Sequence, residues 1–220
     1  ERNSVTQSED FDLDEAYAVE TPQDNVELYA RWASTYETFV ERNGYQHPFM
    51  VAAELLALGG RDHQPVLDVG CGTGLGGQAL VADGPILVDG LDLSAEMIDE
   101  AAQKEDPHGA QVYRAFHQAN LKETLPIEAE AYGAVMSAGT FTHGHVGPEA
   151  FDELYRITRP GALFVVGINK EFYAEQSFAR RFSKDAQQDR ITDPVVHTSS
   201  VYSRGEHEGH LGLVLTFSRQ

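Results

Sequence analysis

One stretch restricts the fold of this chain more than any other. Pro65-Val66-Leu67-Asp68-Val69 is a short, mostly apolar run that passes directly into Gly70-Cys71-Gly72-Thr73-Gly74, and Leu75 to Ala82 continues with helical spacing. A short apolar run bounded by glycine suits a strand covered on both faces. Glycines at its end let the backbone turn sharply and bring main-chain N–H groups close to a ligand at the mouth of the following helix. Strand, glycine loop and helix in that order make one unit of a parallel sheet, because parallel neighbours need a crossover between them.

The same grammar recurs downstream. Ile86 to Leu91 is a second apolar run ending at Asp92, and Ser94 suits the N-cap of a helix from Ala95 to about Lys104, with Met97, Ile98, Ala101 and Ala102 on one face. Val112 to Phe116 and Tyr132 to Ser137 read as a third and a fourth strand, the latter followed by a loop rich in Gly, His and Thr. Glu149 to Thr158 reads as a helix broken by Arg159-Pro160-Gly161, and Ala162 to Ile168 as a fifth strand without alternation. Strands alternating with helices predict a doubly wound parallel sheet that binds its ligand at the strands' C-terminal edge. The tail departs from this pattern. Lys170 to Arg190 predicts a helix, and Thr198 to Tyr202 with Leu211 to Phe217 predict an antiparallel hairpin around a polar loop holding Gly205 and Gly209. Upstream, Asp24 to Arg42 predicts an amphipathic helix, and Pro48 to Leu58 a second helix closed by Gly59-Gly60. Those first residues are too few to hold a separate core. A single domain over 1–220 is therefore expected: an acidic, flexible leader (1–24), a helical cap or lid (25–60), and the sheet with its hairpin (61–220).

Charge narrows the partners. Sixteen Lys and Arg against 35 Asp and Glu give a formal net charge of −19. Such a chain disfavours nucleic acid, whose phosphates are held by basic side chains, and anionic membrane surfaces. The acidity fits either a host with high internal salt or an acidic protein of an ordinary cell. No run of roughly eighteen apolar residues is present, so no membrane-spanning helix is expected. The polar stretch Glu1 to Glu15 is unlike a signal peptide, and a cytoplasmic location is expected. The single cysteine, Cys71, excludes an internal disulfide framework and a four-cysteine zinc site.

Two carboxylates mark the binding edge. Asp68 lies at the end of the first strand, where it suits a cationic ligand or orders the loop by accepting N–H bonds, and suits a pyrophosphate poorly. Asp92 ends the second strand, where a carboxylate can accept two hydrogen bonds from ribose hydroxyls. Gly72, Gly74 and Gly77 also satisfy the dinucleotide pattern G-x-G-x-x-G, which keeps an NAD(P)-dependent oxidoreductase as an alternative. That pattern starts after the chain has left the strand, and an oxidoreductase predicts no terminal antiparallel hairpin.

Val66-Leu67-Asp68-Val69-Gly70-Cys71-Gly72-Thr73-Gly74 resembles the first motif of class I S-adenosylmethionine-dependent methyltransferases. Gly90 to Met97 resembles that family's second-strand motif, which implies Asp92 as the ribose carboxylate with Leu93 and Met97 flanking the adenine. Ala119-Asn120-Leu121 sits where many members carry an Asp-Leu pair beside the adenine amino group, here with Asn120 in place of the acid. Ala134 to Ser137 resembles the fourth strand, and Arg159 to Leu163 the turn into the fifth, with Ala162 where glycine is commoner. Within the family, Ser137 to Pro148 and Tyr29-x-x-Trp32-Ala33-x-x-Tyr36 resemble the subgroup of the methyltransferase-like protein of the Williams–Beuren syndrome region, with Glu37 where an Asp is usual. The resemblance covers about Val26 to Phe217. It implies a mostly parallel, Rossmann-like seven-stranded sheet with a C-terminal antiparallel hairpin. It implies S-adenosylmethionine as cofactor and S-adenosylhomocysteine as product. The cofactor residues it implies are Tyr29, Trp32, Tyr36, Asp68, Gly70, Cys71, Gly72, Thr73, Gly74, Asp92, Leu93, Met97, Asn120, Leu121, Ser137, Ala138 and Gly139.

Methyl transfer from a sulfonium is an in-line displacement that mainly needs donor and acceptor held close, aligned and dry. A base is required only where the acceptor's proton must leave. His143 and His145 follow the fourth strand at the binding edge, and His143 is the first choice for a catalytic or substrate-orienting role, with His145 and Phe141 as further substrate contacts. Histidines bonding only the loop backbone are the plain alternative. No third ligand stands at a recognisable spacing, so no metal is expected. Tyr29, Trp32 and Tyr36 share one helical face, as a lid over the cofactor or as ordinary core, and Cys71 reads as a small packing residue. The Asn-Pro-Pro-aromatic motif of amino-group nucleic-acid methyltransferases is absent. A small, neutral or cationic acceptor is therefore expected, entering between the cap and the loop from Thr140 to Gly147. A non-catalytic module that binds the cofactor without transferring its methyl group is the other alternative.

Overall fold

A computed structural model describes residues 22–205 and 207–220. The acidic leader expected over 1–24 falls almost wholly outside them. The strands are β1 (Val66–Val69), β2 (Val88–Asp92), β3 (Phe116–Gln118), β4 (Tyr132–Phe141), β5 (Thr158–Asn169), β6 (Val195–Ser200) and β7 (Leu211–Ser218). They form one sheet in the order β3-β2-β1-β4-β5-β7-β6. Neighbours from β3 to β5 are parallel, whereas β7 runs antiparallel to both β5 and β6. Strand order reverses beside β1, between β2 and β4, which places a crevice at the C-terminal ends of these three strands.

The absence of alternation in the strands has a direct cause. Val66, Ala134, Met136, Val165 and Val214 pack on one face of the sheet, and Leu67, Val69, Val135, Phe164, Val166 and Leu215 on the other. Both faces are covered, so successive residues pointing in opposite directions are all apolar. On the first face lie helix α2 (His47–Ala57) and helix α3 (Leu75–Val81), which contact each other. The second face is filled by aromatic rings. Phe151 of helix α5 (Phe151–Ile157) meets Phe182 of helix α7 (Phe178–Gln187), ring centres 4.9 Å apart, and Phe164 stacks on Phe217 at 4.8 Å.

Helix α1 (Pro22–Asn43) lies against helix α4 (Ala95–Ala101) and across the crevice. Trp32 is fully buried beneath it, and Lys104 ties to Glu37 at 2.5 Å. Its C-terminal end docks on the tail, where Val40, Tyr45 and Tyr202 share an apolar cluster.

Four elements differ from expectation, the sixth strand lying at Val195–Ser200 rather than Thr198 to Tyr202. The third strand covers Phe116–Gln118 rather than Val112 to Phe116, because Val112 and Tyr113 are drawn under the glycine loop and buried. The helix expected over Lys170 to Arg190 is two, α6 (Lys170–Glu175) and α7. Ser177 between them has φ +60, which no α-helix admits, and it brings Phe178 fully into the core. The fifth strand starts earlier, at Thr158, with Arg159 to Gly161 bulged out where Tyr132 pairs Thr158 and Ala134 pairs Leu163.

Candidate functional site

A cleft of about 820 Å³, open to solvent, lies at the C-terminal ends of β1, β2 and β4. Gly70, Gly72, Asp92, Leu93, Met97, Asn120, Leu121, Ala138 and Gly139 line it, and Tyr29 and Tyr36 of α1 roof it. Ala119, Lys122, Thr140 and Gly144, which are not among the expected cofactor residues, join them. A recess of about 330 Å³ continues along the glycine loop past Asp68, Cys71 and Thr73. A second cavity of about 610 Å³ adjoins the cleft on its other side, lined by Tyr29, Tyr36, Phe141 and His145 among others.

Asp92 organises the loop. One carboxylate oxygen accepts the Gly72 N–H at 2.8 Å, the other the Ser94 N–H at 2.9 Å. The loop-ordering role offered to Asp68 thus belongs to Asp92. Burial raises the Asp92 pKa, and backbone N–H bonds from Ser94, Gly72 and Leu93 oppose the rise. Gly72 has φ +53, and a side chain there would meet nothing within 4 Å, so the loop leaves an open cradle towards the cleft.

Asp68 is buried and bonds sideways. Its carboxylate accepts the Tyr113 hydroxyl at 2.7 Å, and that hydroxyl in turn accepts the Gly77 N–H at 3.1 Å. Burial pushes its pKa up to about 7, against the bonds from Tyr113 and Gly77 and with the nearby Asp92 charge. A buried carboxyl group in the wall of the recess, with the Asp92 charge nearby, favours a cationic group and disfavours a pyrophosphate. In the recess the Thr73 hydroxyl is buried and has no hydrogen-bond partner.

Several expected residues stand elsewhere. Trp32 lies in the core beneath Tyr29 and lines none of the three cavities. Ser137 is buried and donates to the Val69 carbonyl at 2.7 Å, which holds β4 to β1. Gly74 packs against Tyr113 and Ala101. Burial raises the Cys71 thiol pKa well above its ordinary value, as befits a packing residue. Asn120 keeps its place at the cleft, but its side chain is engaged in a local turn, accepting the Lys122 N–H at 3.0 Å and donating to Glu123 at 3.1 Å.

His143 stands apart from these residues. It lines none of the three cavities, and its Nε2 lies 3.0 Å from a Glu175 carboxylate oxygen, with its ring edge-on to Phe172. His145 instead lines both the cleft and the second cavity. Its Nδ1 is 2.9 Å from the His143 carbonyl and its ring meets Tyr29 at 5.7 Å.

Residues 66–161 match the methyltransferase domain family. Human methyltransferase-like protein 27 is 31% identical over 151 residues, which are 67% of this chain and 59% of that protein. Residues 66–161 thus resemble the methyltransferase domain, on the fold of class I S-adenosylmethionine-dependent methyltransferases. The open glycine cradle, the Asp92 carboxylate and the apolar Leu93 and Met97 fit S-adenosylmethionine, the cofactor the sequence resemblance implies. Solved methyltransferases share the fold. A possible histamine N-methyltransferase of Thermotoga maritima aligns with TM-score 0.59 at 17% identity, over 89% of this chain and 99% of its own. Magnesium protoporphyrin IX methyltransferase of Synechocystis, with bound S-adenosylmethionine, gives 0.59 at 20% identity over 94% of each chain. The chain spans less than two thirds of the length of the curated relatives it matches. No group of three or more His, Cys, Asp or Glu side chains that could hold a metal ion occurs among the described residues.

Proposed function

We propose that this protein moves a methyl group to a small-molecule acceptor held in the second cavity. The observation that carries this reading is the junction of the two spaces. Tyr29, Tyr36, Gly139 and His145 line both the cleft and the second cavity, so together they form the passage a methyl group would cross. The cofactor supplies a methyl group already activated on a sulfonium.

The chain's own residues then bind, align and exclude water. Asp92 stands where it can accept the two ribose hydroxyls, and Leu93, Met97 and Leu121 offer an apolar slot for the base. Asp68 and Thr73 offer a carboxylate and a hydroxyl for the charged amino-acid end in the recess. Tyr29 and Tyr36 present aromatic faces at the junction, where a sulfonium is favoured by ring quadrupoles. His145 can take the acceptor's proton at Nε2, because burial lowers its pKa to about 4 and leaves the ring neutral at pH 7. A weak base suffices there, since a hydroxyl or amine becomes strongly acidic as it is alkylated. No helix among the described residues is long and apolar enough to cross a membrane.

Thermal denaturation with S-adenosylhomocysteine, and with NADH in parallel, tests the reading. A ligand bound only to the native state at a hundredfold its dissociation constant stabilises by about 2.7 kcal/mol, which raises Tm by several degrees. The expected result is a rise with S-adenosylhomocysteine alone, lost in Asp92→Ala. A rise with NADH alone would overturn it.

A further inference from the structure

Three buried polar atoms around the second cavity have no hydrogen-bond partner: His47 Nε2, Thr142 Oγ1 and His145 Nε2. Such atoms are costly to leave unmet, and in a cavity wall they mark where a ligand completes the bonding. His47 is the least expected of them. It opens helix α2, is 3% exposed, and lies against Gly167 of β5 and Gly212 of β7, where any side chain would collide with its ring. A hydrogen bond to the Leu213 backbone leaves its Nε2 as the unmet nitrogen, while burial lowers its pKa to about 4.

Both rings are used alike. His145 has Nδ1 against the His143 carbonyl and its Nε2 unmet, and His47 has a backbone bond with its Nε2 unmet. A neutral imidazole whose Nδ1–H donates to a carbonyl presents a lone pair at Nε2. The cavity therefore offers two such lone pairs and the unmet Thr142 hydroxyl. Asn169 also lines it, its side-chain oxygen taken by the Phe172 N–H, and the rest of the wall is aromatic, tyrosines included, and aliphatic, with Tyr45 and Tyr202 5.2 Å apart and Phe39 against Tyr202. Among the described residues no Asp, Glu, Lys or Arg lines it. A charged acceptor would be desolvated there without a counter-charge.

We infer that His47, Thr142 and His145 form the acceptor subsite of this enzyme and select a neutral, flat molecule that presents an O–H or N–H group to the two imidazole lone pairs. This rests on the methyl-transfer reading and narrows its acceptor from neutral or cationic to neutral. His47 and Thr142 line the second cavity but not the cleft, so they are positioning residues for the acceptor, and His145 stands at the junction.

The probe is phenol, set against anisole, which lacks the donor hydrogen, and against benzoate and benzylammonium, which carry charge. Each is titrated into the protein saturated with S-adenosylhomocysteine, with ¹⁵N-histidine spectra reporting Nε2 of both rings. The expected order is phenol about fivefold or more tighter than anisole, both charged probes weaker still, and Nε2 shifts at His47 and His145 with phenol only. Thr142→Val, nearly isosteric, and His47→Phe should bring the phenol-to-anisole ratio down towards one. Thr142→Val keeps the test open if His47→Phe does not fold. Equal binding of phenol and anisole, a preference for either charged probe, or no saturable phenol binding overturns the inference. Failure of S-adenosylhomocysteine to bind would instead strike the methyl-transfer reading.

Discussion

Asp68 illustrates how one buried carboxyl links the fold to the ligand. Burial raises its pKa to about 7, so its proton is easily gained or lost near neutral pH. A cationic amino group placed in the adjoining recess would favour the charged form and draw the proton off. Binding of S-adenosylhomocysteine should therefore strengthen from pH 6 to pH 8 and release protons near pH 7. Calorimetry in buffers of different ionisation enthalpy measures that release, and Asp68→Asn should abolish it. Affinity that is flat with pH, with no proton released, would place the ammonium elsewhere. The stability effect of Asp68 has the opposite sense: the raised folded pKa favours the native state below the unfolded value near 4, and this contribution is lost as pH rises through about 7. The importance of both Asp68 and Asp92 was legible because each ends an apolar strand. Their partners were not. Tyr113 lies 45 positions from Asp68, inside a segment that reads as strand, and only the fold tucks it under Gly77. His47 gave no signal at all. Its surroundings are made by Gly167 and Gly212, and no pattern in one chain pairs a helix start with two distant strands.

At the scale of elements, periodicity located the first, second and fourth strands and the core of the fifth, because both faces of a covered strand are apolar. It failed where short local geometry decides. Ser177 splits a helix of otherwise helical composition, and the bulge at the end of β4 follows from pairing with β5, where Ser137 pairs Val166 and Phe141 pairs Ile168. That bulge carries Ala138, Gly139 and Thr140 into the cleft wall. Gly139 holds φ +84, and a Cβ there would lie 2.8 Å from the Tyr45 hydroxyl oxygen. Gly139→Ala should therefore carry both a left-handed backbone cost of about 1–2 kcal/mol and a clash. Gly209→Ala separates the two, because Gly209 has φ +91 with nothing within 4 Å of a Cβ. Thermal denaturation should show a fall of several degrees for Gly139→Ala and a smaller one for Gly209→Ala. Equal falls would mean that Tyr45 yields freely and that the wall between the two cavities is soft.

The net charge of −19 belongs to the whole molecule rather than to any site. The buried ion pairs do not account for it. Asp185 is 1% exposed and closes on Arg181 at 2.5 Å and Arg190 at 3.1 Å, while Tyr155 donates to it at 3.2 Å. A cluster so enclosed is little screened by salt. Most of the other carboxylates among the described residues are exposed, where like charges repel and oppose the compact state. Screening shortens from about 10 Å at 0.1 M to about 3 Å at 1 M ionic strength, so most surface repulsion should vanish over that range. Thermal stability should accordingly rise by several degrees between about 0.05 M and 1 M NaCl, steeply at first and then levelling. Sulfate acts additionally by exclusion from the surface, which continues to strengthen burial as its concentration grows. The shape of the NaCl curve is therefore the diagnostic: a plateau marks relieved repulsion, and a sustained slope marks exclusion. A midpoint that stays constant or falls as NaCl is added would mean that the carboxylates are already balanced by their local partners, and that this acidity places no strain on the fold.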